Sequence, residues 1–279
     1  MNLVLDFYTL DEPAIADLLK NVFNDKKWLE SFFRETHHGL EHGNQVKTAC
    51  LKFIEKLNNS EKQELVLAGE KIDPARAWES ALTATSIAAV FHDSGRINND
   101  GLILGADQVR HHIVSAERAE TFCLVHHLQH LTPFVSDAVL SHDFQNPNLT
   151  PHLNPPQTII GKIVQSADQV GWFHPGSVYR TMNFCKSMGV PMYDPSLSLQ
   201  ERLDWVPANT EREDALTVVL NQLFGPTDEQ RFGIECARQK IETYKADMEQ
   251  SILKAFGDIE CGEEAERLVE NFRIAKTLR

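Results

Sequence analysis

Along most of the chain, apolar residues return at three- and four-residue steps, the period of an α-helix, and no pair of alternating segments stands out as strands. Val46, Cys50, Phe53, Ile54 and Leu57 make one apolar face, and His42 sits one turn earlier on the same side. Ser60-Glu61-Lys62-Gln63 has the pattern of a capping box and predicts the start of a second helix. Residues 74–91 read as a long helix. It becomes apolar on most sides toward its end (Ile87, Ala88, Ala89, Val90, Phe91), which predicts a central, buried position. Gly95 is expected to permit the backbone reversal that stops it.

The pattern continues with a polar, glycine-containing loop over 98–106 and a helix over about 107–128. Thr132-Pro133 places a cap and a first-turn proline at the start of a helix leading to His142. Residues 146–156, rich in proline and asparagine, read as a loop, and 158–171 as a helix packed through Ile159, Ile160, Ile163, Val164 and Ala167. Beyond Gly171, aromatic residues lie among prolines and glycines up to about 208. Thr210-Glu211-Arg212-Glu213 predicts another capped helix, ending at Gly225-Pro226. Helices over about 227–256, stopped by Gly257, and 263–276 complete the chain. The fold class predicted is all-α, a helical bundle over 1–175 with its core at about 35–175. Residues 176–279 are expected to form an aromatic-rich connection and a C-terminal helical extension packed on that core, because no long linker divides the two parts.

Composition narrows the function classes. The chain has 279 residues, 42% of them hydrophobic, enough for one large or two small domains with a real core. A formal net charge of −13 disfavours broad nucleic-acid or anionic-membrane binding, since the average field repels polyanions. A small phosphorylated substrate stays open, because metals and a local arginine can reverse the field inside a cleft. The five cysteines (Cys50, Cys123, Cys185, Cys236, Cys261) are scattered with no CxxC pair, and read as free thiols in a reducing compartment. Residues 1–10 lack a basic segment and meet Asp6 early, and no apolar stretch reaches spanning length. A soluble, cytoplasmic protein is expected.

The candidate chemistry centres on His92-Asp93, at the end of the apolar run and followed by Ser94-Gly95-Arg96. An imidazole and a carboxylate at adjacent positions, just where a buried helix ends, can both turn toward one metal. His42 upstream, with His111, His142 and Asp168 downstream, lies on helical segments. The six could supply N and O ligands to two divalent metals. The order His42 … His92-Asp93 … His111 … His142 … Asp168 resembles the HD-domain superfamily of metal-dependent phosphohydrolases. The local contexts that carry the resemblance are His42-Gly43-Asn44-Gln45-Val46, Ala88-Ala89-Val90-Phe91-His92-Asp93-Ser94-Gly95-Arg96, His111 before Ser115-Ala116, Ala138-Val139-Leu140-Ser141-His142, and Gln165-Ser166-Ala167-Asp168. The resemblance covers roughly residues 35–175.

The resemblance implies one metal held by His42, His92, Asp93 and Asp168, and a second that shares Asp93 and adds His111 and His142. The cofactors it implies are one or two divalent transition metals (Mn, Fe, Co, Ni or Zn), favoured over Mg by a nitrogen-rich site. The implied reaction is hydrolysis of a phosphate mono- or diester, with a nucleotide among the candidate substrates. Asp93 and, from its place three residues later, Arg96 are the candidate catalytic residues. The chain departs from compact members in the long gap between His42 and His92, where 58–75 look like an inserted helix. It has no Gly-Tyr-Pro signature and no paired histidine at 142, which argues against a cyclic-dinucleotide hydrolase.

Several residues carry two readings each. Arg96 is either a phosphate grip beside the metals or a solvated loop charge. Trp172 and Arg180, with His174 and Tyr179 nearby, are candidates for a substrate pocket, and core packing accounts for the aromatics equally well. His112 competes with His111 for the third histidine position, pointing about a hundred degrees away on a helix. His126, His127 and His130 read as surface or supporting groups, and Asp143 as a decoy. Two other functions stay open: a di-iron oxygenase of the same superfamily cleaving a C–C or C–P bond with O2, and a non-catalytic metal-binding protein. The acidic helical tail is a candidate homodimer interface.

Overall fold

A computed structural model describes residues 40–96, 111–143, 155–205, 213–225 and 232–277. The expected loops over 98–106 and most of 146–156 lie outside these residues, as do the starts of the helices expected at 107 and 227 and most of the Thr210 capping box. The described residues are all-α, with no strand among them. The helices are α1 (Leu40–Lys56), α2 (Asn59–Ile72), α3 (Ala77–Phe91), α4 (His111–Val125), α5 (Thr132–Ser141), α6 (Ile159–Phe173), α7 (Gly176–Ser187), α8 (Leu199–Leu203), α9 (Ala215–Leu223), α10 (Glu235–Gly257) and α11 (Gly262–Thr277). None of the described helices is long and apolar enough to cross a membrane. The chain divides into two compact units, one of residues up to Asp168 with Phe232–Cys236, the other of Gln169–Arg231 with Ala237–Arg279.

In the first unit α3 is the hub, packing against α1, α2, α4 and α5. Every residue from Ser80 to Phe91 is buried, as expected of a helix apolar on most sides. Its start differs from expectation. Pro74–Arg76 form a 3-10 turn, with the Asp73 carboxylate accepting from the Ala75 amide, and the α-helix proper begins at Ala77. The box that opens α2 is Asn58 with Glu61, not Ser60 with Gln63. The Asn58 side chain accepts from the Glu61 amide while Glu61 reaches back to the Asn58 amide. Asparagine in extended backbone serves the cap as well as serine does.

Helix α4 ends at Val125, before the expected 128, because His127 adopts a left-handed conformation (φ 59°). Leu128 then donates back to the Cys123 carbonyl and His127 to that of Leu124, a Schellman closure made by a histidine in place of the usual glycine. Asp137 on α5 captures the start of α6: its carboxylate accepts from the Gln157 and Thr158 amides and from the Thr158 hydroxyl. This joins the helix before His142 to the helix that carries Asp168.

The second unit has its own core, built from Val178 and Met182 on α7, Leu216, Val219 and Leu220 on α9, Ile252 and Phe256 on α10, and Leu268 and Phe272 on α11. In the same unit Arg202, 1% exposed, donates to both carboxylate oxygens of Asp214 (2.8 and 2.7 Å), to the Thr217 hydroxyl and to the Asp194 carbonyl. Asp214 also caps α9 by accepting from the Thr217 amide, so the described cap of this helix lies beyond the expected box.

Candidate metal centre

His92 and Asp93 follow the last residue of α3, where the chain turns into a 3-10 segment, Ser94–Arg96. The burial of α3 carries both side chains inward, and His92 is 0% and Asp93 4% exposed. His42 comes from the first turn of α1, His111 opens α4, His142 follows the end of α5, and Asp168 lies on α6. All four are buried as well.

The six side chains converge in two halves that share Asp93. In the first, His42 Nε2 lies 3.2 Å from Asp168 Oδ1 and 3.7 Å from Asp93 Oδ2. His92 Nε2 lies 3.4 and 3.6 Å from the same two atoms. In the second, His111 Nε2 and His142 Nε2 lie 3.4 and 3.3 Å from Asp93 Oδ1, and 3.2 Å from one another. Each carboxylate oxygen of Asp93 therefore faces its own pair of histidines. His42, His92 and Asp93 in the first half, and Asp93, His111 and His142 in the second, lie close enough together to hold a metal ion, and Asp168 Oδ1 faces both histidines of the first.

His92 and His142 are built alike. Each follows a helix end, and the Nδ1 of each contacts the carbonyl three residues back at 2.7 Å, that of Ala89 or Val139. A carbonyl only accepts, so Nδ1 carries the proton and Nε2 of the neutral ring presents a lone pair to the site. A backbone carbonyl behind the ring is the usual support of a metal-binding histidine.

The donor set fits a metal. Bonds of about 2.1 Å place neighbouring ligands roughly 3.0 Å apart in an octahedron and roughly 3.4 Å in a tetrahedron. The spacings here, 3.2 to 3.7 Å, bracket the tetrahedral figure. His92 Nε2, fully buried, has no hydrogen bond of good geometry. An array of lone pairs and carboxylates closed off from water costs stability unless cations fill it. In the metal-free protein a proton serves. Burial opposes a charged His92, but Asp93 and Asp168 outweigh it and lift the imidazole to about 9. Burial likewise opposes the Asp168 carboxylate, and the neighbouring His42 and His92 imidazoles hold it well below its ordinary value.

The structure also separates residues that the sequence left as alternatives. His111, not His112, directs Nε2 at Asp93, and the His112 ring stands edge-on to that of His111 at 5.7 Å. Asp143 is buried, but it is not part of either group of metal-holding donors. The His126 ring packs tilted against Phe122, and His127 serves the helix closure. Arg96 ends the 3-10 turn after Asp93, and its side chain lies outside the described structure. Trp172 and Arg180 belong to the second unit and are half-buried there.

Gly95 has a different role from the one expected. It does not adopt positive φ. A Cβ there would stand 2.1 Å from the His111 carbonyl oxygen and 2.8 Å from the Ser115 amide, so glycine is required by the approach of α4. The contacts of Ser115 and Arg118 with this turn were not visible in the sequence. The signals were the Ser115-Ala116 pair after His111 and the i+4 and i+7 spacing of Ser115 and Arg118 from it, which places all three on one stripe of α4. No protein-family model, curated protein or solved structure matches the chain.

Proposed function

We propose that this protein is a metal-dependent hydrolase of the HD-domain type, acting on a small phosphate mono- or diester such as a nucleotide. The observation that carries the reading is the division of Asp93, with Oδ2 toward His42 and His92 and Oδ1 toward His111 and His142. A carboxylate so placed can bridge two cations and offset their mutual repulsion. The nitrogen-rich set suits Mn²⁺, Fe²⁺, Co²⁺, Ni²⁺ or Zn²⁺.

Bound metals supply Lewis acidity toward a phosphoryl oxygen and bring the pKa of water toward neutrality. The residues of the chain do the rest. His42, His92, Asp93 and Asp168 would hold one cation, and Asp93, His111 and His142 the other. The Ala89 and Val139 carbonyls keep two of the imidazoles in the binding tautomer. Burial of the set excludes bulk water, which strengthens every charge interaction inside. Arg96, three residues after Asp93, offers a bidentate grip on a phosphate.

The test is a phosphoester panel assayed with Mn²⁺, Co²⁺ or Ni²⁺, for wild type and Asp93→Ala. Phosphate or nucleoside release that disappears in a folded Asp93→Ala variant supports the proposal, and unchanged turnover in that variant rules it out. Two bound irons with substrate-dependent oxygen uptake and no phosphate release would replace hydrolysis with the oxidative chemistry.

A further inference from the structure

The turn that carries Asp93 is held from outside its own helix. The Gly95 amide donates to the buried Ser115 hydroxyl at 2.8 Å. Arg118 Nη1, from the same helix, donates to the Ser94 carbonyl. The Gly95 backbone is pressed close to the His111 carbonyl, as the space for its missing Cβ shows. His111, Ser115 and Arg118 stand at i, i+4 and i+7 on α4, so one stripe carries both a candidate ligand and the two groups that grasp the Asp93 turn.

We propose that Ser115 and Arg118 are positioning residues that set the distance between Asp93 Oδ1 and His111, and thereby the affinity of the second metal. The inference rests on the two-metal reading above. Its physical content is selectivity. The His111–Asp93–His142 half spans the α4-to-turn junction, where Asp93 Oδ1 and His111 Nε2 stand 3.4 Å apart. The first half takes His42 from α1, His92 from the end of α3 and Asp168 from α6, and no ligand from α4. Loosening the junction therefore moves His111 relative to Asp93, whereas the first half shares only Asp93 with the turn and keeps His42, His92 and Asp168 on helices that the junction does not hold. Metal sites tolerate displacements of about half an ångström in their ligands. Loss of a supporting hydrogen bond typically costs 10- to 100-fold in metal affinity.

The experiment is equilibrium dialysis of the full chain against Mn²⁺ with elemental analysis, for wild type, Ser115→Ala, Arg118→Ala and Arg118→Lys. His111→Ala and His42→Ala mark the two sites, and thermal melts of the metal-free proteins check folding. The electron paramagnetic resonance spectrum distinguishes carboxylate-bridged Mn²⁺ pairs from isolated ions. Expected are two Mn²⁺ in wild type and, in Ser115→Ala and Arg118→Ala, the site lost in His111→Ala weakened about 10- to 100-fold while the site lost in His42→Ala stays within about threefold. The coupled spectrum gives way to an isolated one, as in His111→Ala. Arg118→Lys, which keeps a donor for the Ser94 carbonyl, returns toward wild type. Two Mn²⁺ at wild-type affinity in the variants overturns the inference and leaves the proposed function standing. Equal losses at both sites, tracking the melting temperature, overturn it in favour of a folding role. Fewer than two Mn²⁺ in wild type overturns it together with the two-metal reading.

Discussion

Metal uptake by this site should depend on pH in a direction set by His92. In the metal-free protein its imidazole is lifted to about 9 by Asp93 and Asp168, against the opposing effect of burial. At pH 7 a group of that pKa is protonated in roughly 99 of 100 molecules, and a metal that uses His92 Nε2 must displace the proton. Apparent affinity then rises about tenfold per unit up to pH 8 and flattens near 9. The gain between pH 7 and pH 9 is roughly 50-fold, or about 2 kcal/mol. Asp168 adds no proton to this balance, since it is already a carboxylate.

The stability of the metal-free protein should move the other way. A histidine whose folded pKa is raised contributes stability that is complete below the unfolded pKa of about 6.5 and is lost as pH rises through about 9. For His92 that contribution is on the order of 3 kcal/mol. Metal-free protein should therefore melt lower at pH 9 than at pH 6.5, while the stabilisation conferred by Mn²⁺ grows over the same interval. Calorimetric titration in two buffers of different protonation enthalpy measures both the affinity and the protons released, with close to one proton expected at pH 7 for the metal that takes His92. Affinity flat between pH 7 and 9, with no proton release, would refute the assignment of His92 as the displaced site.

Two substitutions test the packing that supports the site and the second unit. Gly95→Ala puts a methyl group against the His111 carbonyl and the Ser115 amide, both backbone atoms that cannot swing aside. It should cost about 1–3 kcal/mol in urea unfolding and weaken Mn²⁺ binding, and a wild-type midpoint would mean α4 yields more easily than the contact distances imply. Arg202→Ala strips the cation from an Asp214 carboxylate that is 0% exposed. A loss of about 3–5 kcal/mol is expected by chemical denaturation, and a loss below about 1 kcal/mol would show that Asp214 does not depend on that pair.

Much of the local structure was legible in the residue pattern. The apolar steps from Val46 to Leu57 marked α1, the all-round apolar end of α3 marked a buried helix, and Thr132-Pro133 marked the start of α5. These signals are short-range: they depend on how side chains three or four apart share a helix face. Where several neighbours could serve, the pattern was less exact. Asn58 caps α2 although Ser60 has equally suitable chemistry, and His127 closes α4 although glycine is the commoner choice there. Such local alternatives differ by a few tenths of a kilocalorie to about one, and tertiary packing settles them.

The candidate site divides along the same line. The sequence by itself determined which side chains were available: four imidazoles and two carboxylates in a helical chain, with His92-Asp93 where a buried helix must stop. Only the tertiary structure decided that His42 and Asp168, far apart along the chain, meet at 3.2 Å, that Asp93 turns one oxygen to each histidine pair, and that His111 rather than His112 faces it. It also decided that Gly95 answers a close approach by α4 and not a reversal of the chain. The reason is physical. Residue type and helical period fix what a side chain can donate and which face it shares, whereas the meeting of donors from separate helices depends on how those helices pack around α3, and that packing is a long-range property.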